Sequence, residues 1–186
     1  MYCTKFFTAK ELKPIFDILE ECRDIGQNTD RHPEGDVFMH LLQSMHFAFN
    51  ETDDIDLIIA AMFHDIGKTI NKKRHPIIGA EILKEYHMSE KTIWLVANHM
   101  LFMDYIEGND EKHVNLDLKV LPHQPYYIEL TILARIDKMA REESFNIPFD
   151  RQEILKKLNS LGKNKSPLTK YTCEPTASLI MQNMTD

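Results

Sequence analysis

The chain has 186 residues, 43% of them hydrophobic and 27% charged, with a formal net charge of −7 at pH 7. That composition is rich enough to bury one hydrophobic core, and it argues against disorder and against a collagen-like or linker-rich chain. The acidic balance excludes a broad, charge-driven grip on nucleic acid but leaves room for a local basic patch.

In chain order, Thr8 can cap a helix from Ala9, with Glu11 as its capping-box partner. Leu12, Ile15, Phe16 and Leu19 recur at three and four and give this helix one apolar face. The stretch Gly26 to Gly35 holds Asn, Thr, Asp, Pro and Gly and reads as a loop. A second helix is expected from Asp36 to about Asn50. A third opens at Asp53 or Asp54, includes Leu57, Ile58, Ala61 and Met62, and stops around Gly67, where a left-handed residue would end it. Pro76 suits the first turn of a fourth helix through Ile82 and Leu83. Ser89 opens a fifth, through Trp94 to about Met103. Residues 108–121 read as a polar loop. Pro125 starts a sixth helix, through Leu130, Leu133, Ile136 and Met139 to about Glu143. A last helix runs from Arg151 to Leu161, followed by a Lys-rich tail. Val and Ile fall at helical rather than alternating spacing, so the fold class is all-α.

No apolar run approaches the roughly 18 residues a membrane helix needs, and Met1 to Lys13 lacks the apolar stretch of a signal peptide. Cys3, Cys22 and Cys173 are scattered, which suits a reducing cytoplasm better than a disulfide scaffold.

Nine histidines are the unusual count. Phe63-His64-Asp65-Ile66-Gly67-Lys68 offers an imidazole and a carboxylate side by side at a helix end, a pair suited to a divalent metal. Taken alone, the pair reads equally well as a capped helix end. His40, flanked by Phe38, Leu41 and Leu42, and His99, in Leu95-Val96-Ala97-Asn98-His99-Met100, sit in apolar helical settings. Asp137 lies on a helix whose other residues look buried, and His75 stands at a helix start. One such residue is more often a satisfied core group. Several on separate helices favour a shared metal site inside a helical bundle.

The order His40, His64-Asp65, Asp137 resembles the HD-domain metal-dependent phosphohydrolase superfamily, over roughly Arg31 to Arg141. The strings His64-Asp65-Ile66-Gly67-Lys68, Arg74-His75-Pro76-Ile77-Ile78-Gly79-Ala80-Glu81 and Ala134-Arg135-Ile136-Asp137-Lys138 carry the likeness. The segment His32-Pro33-Glu34-Gly35-Asp36-Val37-Phe38-Met39-His40 is similar to the opening of the HD domain in bacterial CCA-adding tRNA nucleotidyltransferases. The resemblance implies an HD-domain helical bundle over 1–186, with its core at about 31–145, an N-terminal helix at 8–24, and a C-terminal helix and tail at 150–186. It implies a first metal site of His40, His64, Asp65 and Asp137. It also implies a second site of His75 and His99, with Asp65 bridging.

The implied reaction is hydrolysis of phosphate esters of nucleotides or nucleic-acid ends, of the 2′,3′-cyclic phosphodiesterase or phosphomonoesterase type. The alternatives are a deoxynucleotide 5′-phosphatase, a triphosphohydrolase, a dinucleoside polyphosphate hydrolase, or a non-catalytic nucleotide-binding module. One or two divalent ions are expected (Mn, Fe, Co, Ni, Zn or Mg), with imidazoles favouring the transition metals. Asp65 and Lys68 are the candidate catalytic residues. Lys68, Arg31, Lys138 and Arg141 are candidates to hold substrate. Each has a plainer alternative: Lys68 complementing a helix dipole, Lys138 or Arg141 pairing with Glu142 or Asp150. Lys72, Lys73 and Arg74 either attract phosphate or form a solvated loop. Asp36, four residues before His40, either orients that imidazole or caps its helix. His46, His87, His113 and His123 read as surface or packing residues. Trp94, Phe102 and Met103 read as core.

Overall fold

The computed structural model describes residues 9–101, 123–143 and 145–164. The Thr8 cap, Phe102 and Met103, the 108–121 loop, His113, Cys3, Cys173 and the tail beyond 164 lie outside the described residues. The described residues form seven α-helices and no strand: α1 (Ala9–Glu21), α2 (Val37–Glu51), α3 (Ile55–Phe63), α4 (His75–Glu85), α5 (Glu90–Asn98), α6 (Tyr127–Met139) and α7 (Arg151–Asn164). Two short 3₁₀ turns, Ile66–Thr69 and His99–Leu101, follow α3 and α5. The all-α expectation agrees with this architecture. No helix among the described residues is long and apolar enough to cross a membrane.

Helix α3 is the hub. Every side chain from Leu57 to Phe63 is buried, as expected for a helix that is apolar on all sides. It packs against α2, α5, α6 and α7. Its start is fixed by Asp54, whose side chain accepts from Asp56 N. Lys91 of α5 donates to Asp54 Oδ2 at 2.5 Å and to Glu129 Oε1 of α6 at 2.6 Å, tying three helices together. Ser89 caps α5 by accepting from Thr92 N, and its hydroxyl donates to Asp56 Oδ1 at 2.6 Å.

Leu12, Ile15, Phe16 and Leu19 of α1 are buried together, matching the expected apolar face. Ile154, Leu155 and Leu158 of α7 join the same core. The Arg151 guanidinium reaches back to Asp17 and Glu20 on α1. Phe16 meets Phe149 edge to face, with ring centroids 5.7 Å apart, and lies 6.4 Å from Phe63. Phe16→Ala is therefore expected to cost about 3–5 kcal/mol, read as a lower midpoint in urea at unchanged slope. An unchanged midpoint would mean that α1 is not part of the cooperative core.

Helix ends differ from the sequence expectation at α3, α5 and α6, α5 stopping at Asn98 rather than near Met103. Helix α6 stops at Met139 rather than near Glu143. The Gln43 side chain captures the chain there: its Oε1 accepts from Glu142 N, and its Nε2 donates to the carbonyls of Glu142 and Phe145. Gly67 is not left-handed. Positive φ among the glycines occurs at Gly35, at +99°. Gly67 is needed for another reason, since a Cβ on it would lie 2.2 Å from the His75 carbonyl oxygen.

Candidate metal centre

Four histidines and two aspartates from separate elements meet inside the bundle. His40 comes from the first turn of α2, His64 and His99 cap the C-termini of α3 and α5, and His75 opens α4. Asp65 precedes the first 3₁₀ turn and Asp137 lies on α6. All six are buried. His64 and His99 share one local geometry. Each remains right-handed at a helix end and donates from Nδ1 to the carbonyl three residues back, Ala61 O at 3.0 Å and Val96 O at 2.7 Å. That bond satisfies a terminal carbonyl and turns Nε2 inward. His75 does the same through Lys72 O at 2.8 Å. His40 Nδ1 lies 2.8 Å from Ala140 O, the carbonyl freed where α6 ends.

Each ring can therefore keep a proton on Nδ1 and offer its Nε2 to a cation at the centre. His40 Nε2 is 3.3 Å from His64 Nε2, and His75 Nε2 is 3.1 Å from His99 Nε2. Lone pairs facing at those distances repel unless a cation lies between them. Asp65 joins the two imidazole pairs. Its Oδ2 is 3.9 Å from His40 Nε2 and 3.7 Å from His64 Nε2. Its Oδ1 is 3.0 Å from His75 Nε2 and 3.6 Å from His99 Nε2. Asp137 completes the first pair, with Oδ1 3.1 Å from His40 Nε2 and Oδ2 3.9 Å from His64 Nε2. Ligand atoms about 2.1 Å from a four- or six-coordinate divalent ion stand roughly 3.0–3.5 Å from one another; both imidazole pairs and one carboxylate contact in each half meet that spacing, and the other carboxylate contacts are a few tenths of an ångström wider.

The electrostatics point the same way. Burial opposes charge on His40, but hydrogen bonds with Asp137 and Glu34 outweigh it and push the imidazole up to about 10. Burial drives His64 down to about 3, against the pull of Asp65 and Asp137. Burial also opposes ionisation of Asp65, yet His64, Lys68, His75 and His99 hold it well below the usual carboxylate range. Burial acts likewise on Asp137, and His40 and His64 overcome it. The cluster draws positive charge and keeps both carboxylates ionised.

Lys68 is not an exposed helix-end lysine. Its Nζ donates to Asp65 Oδ2 at 2.5 Å and to Gln27 Oε1 at 2.7 Å. Arg141 lies past the end of α6, yet its Nη2 is 3.5 Å from Asp137 Oδ1. Arg31 and Lys138 are both exposed, Arg31 in the turn before His32 and Lys138 on α6. Lys72, Lys73 and Arg74 form an exposed turn whose backbone is pinned by the Asn71 side chain, and Lys72 Nζ donates to Gly26 O. Asp36 takes the capping alternative: its Oδ1 accepts from Met39 N at 2.7 Å. His46 packs edge to face on Phe47 and Phe145, and Trp94 packs on Tyr126.

Sequence reasoning missed two residues. Glu34, rather than Asp36, stands against His40, with Oε1 2.8 Å from His40 Nδ1. Gln27 clamps Lys68 across 41 residues of chain. No spacing rule picks out Gln27. Glu34 sits inside a motif already singled out, where its flanking Pro33 and Gly35 suggested only a loop. Cys22 lies in the core, and its burial pushes the thiol up to about 12, which leaves it a poor nucleophile.

Comparison with known families finds the HD domain over residues 37–142, more than half of the chain. The match spans all six clustered residues, with Lys68 and Arg141, and ends short of Gln27 and Glu34. No curated protein matches the chain.

Proposed function

The chain belongs to the HD-domain family, and from that premise we propose that it is a metal-dependent hydrolase of phosphate esters on nucleotides or nucleic-acid ends. The observation that carries the reading is Asp65, with one carboxylate oxygen toward each of two imidazole pairs. His40, His64, Asp65 and Asp137 would hold one divalent ion, and His75, His99 and Asp65 a second. Such ions polarise a phosphoryl oxygen and make water a nucleophile at neutral pH. The protein's own part is orientation and charge. The four Nδ1 hydrogen bonds fix the rings before anything binds. Lys68, held by Asp65 and Gln27, presents an ammonium beside the reacting position, where it stabilises charge on a phosphoryl group or holds the leaving oxygen. Arg141, 3.5 Å from Asp137 Oδ1, would do the same beside that carboxylate.

Among phosphate esters, 2′,3′-cyclic phosphates and terminal phosphomonoesters are the preferred class, by the likeness of the His32–His40 segment to the HD domain of CCA-adding enzymes. The scattered cysteines suit a cytoplasmic setting. The deciding experiment is a panel of 2′,3′-cyclic AMP, 2′-, 3′- and 5′-mononucleotides, nucleoside triphosphates and a diadenosine polyphosphate, with Mn, Co, Ni or Mg. Release that needs metal and is greatest on the cyclic or monoester substrates is the expected result. Preference for triphosphates or diadenosine polyphosphate would reassign the substrate. Silence on every ester by folded, metal-loaded protein would point to a binding role.

A further inference from the structure

The turn before α2 contains a hydrogen-bonded set that the ligand cluster does not account for. Glu34 has a fully buried side chain in a loop. A buried carboxylate is costly unless paired. Its Oε1 lies 2.8 Å from His32 Nδ1 and 2.8 Å from His40 Nδ1. The two rings meet edge to face, with centroids 5.0 Å apart. The loop is pinned around it. Arg31 N and His32 N both donate to Asn28 O, and Gly35 N donates to His32 O. Gly35 takes a φ of +99°, which a side chain would resist.

His40 thus differs from the other three rings. Each of those meets a backbone carbonyl at Nδ1, whereas His40 Nδ1 faces both Ala140 O and a carboxylate oxygen at the same 2.8 Å. Two acceptors there call for a proton on Nδ1, which leaves Nε2 as the nitrogen that can bind a cation. A carboxylate behind the ring also makes Nε2 a better donor to a metal. The same three residues lie close enough to ligate an ion themselves, but the Ala140 carbonyl at Nδ1 argues for a proton there. We propose that Glu34, steadied by His32, is the positioning residue for His40, fixing its tautomer and strengthening it as a metal ligand. This rests on reading the His/Asp cluster as a metal site.

The test is cobalt(II) titration of the full chain by calorimetry and by visible absorption, comparing wild type with Glu34→Gln, Glu34→Ala and His32→Ala. Each variant is checked for helical content and a cooperative melt after chelation. Glu34→Ala is expected to weaken binding by about 10- to 100-fold and to move the cobalt absorption bands. Glu34→Gln keeps the shape and a neutral carbonyl acceptor, so it should fall between, and it decides the matter if the alanine variant does not fold. His32→Ala should show a smaller loss. Wild-type affinity and spectrum in both Glu34 variants would overturn the proposal and leave Ala140 as the sole orienting group. Failure of the wild type to bind cobalt would instead overturn the metal reading itself, and this proposal with it.

Discussion

Asp65→Ala is expected to remove hydrolysis by at least about 10³-fold, equivalent to roughly 4 kcal/mol of transition-state stabilisation. The reason is position. Both imidazole pairs lean on this one carboxylate, Oδ2 toward His40 and His64 and Oδ1 toward His75 and His99. Its removal takes a ligand from both halves and releases Lys68, whose remaining described acceptor is Gln27. Asp137→Ala is the informative contrast, because the imidazoles that Asp137 meets are those of the first pair, His40 and His64. Bound metal, measured after desalting, should fall in both halves for Asp65→Ala and in one half for Asp137→Ala. Circular dichroism should show both variants folded. Turnover retained by folded Asp65→Ala would defeat the proposed mechanism.

Gly67→Ala is expected to be the most damaging small substitution in the fold. Its Cβ would lie 2.2 Å from the His75 carbonyl oxygen, 2.7 Å from Gly79 N and 2.9 Å from the His75 carbonyl carbon. These are backbone atoms, which cannot swing aside as a side chain can. Relief requires α4 to move away from the 3₁₀ turn, carrying His75 from its position 3.0 Å from Asp65. Overpacking costs about 1–3 kcal/mol and occasionally more; a backbone clash belongs at the top of that range. For a chain of this size that is a loss of roughly 6–12 °C in Tm. Metal binding at the His75 and His99 pair should fall with it. Gly26→Ala is the control, with no atom within 4 Å of its Cβ. Equal melting temperatures for the two variants would refute the close-approach explanation.

Much of the fold was legible because its signals are local. The face of α1, the helix through Leu57, Ile58, Ala61 and Met62, and the Ser89 cap follow from short-range periodicity and capping, which need no tertiary partner. The six-residue cluster was legible for a related reason. Imidazoles and carboxylates in apolar helical surroundings are costly alone, so several of them imply a shared partner. The ends of α6 and α5 were not legible in the same way. The end of α6 depends on the Gln43 amide, about 100 residues away in the chain. At α5, His99 ends the helix as its C-cap rather than lying inside it.

By itself, the sequence determined an acidic all-α chain with one hydrophobic core and the residue types of a metal centre. Tertiary structure alone decided how those residues divide: which oxygen of Asp65 faces which pair, that Glu34 rather than Asp36 stands against His40, and that Gln27 holds Lys68. The physical reason is range. Periodicity and capping act within a few residues, whereas the direction of a ring or a carboxylate is set by acceptors that only packing brings within 3 Å.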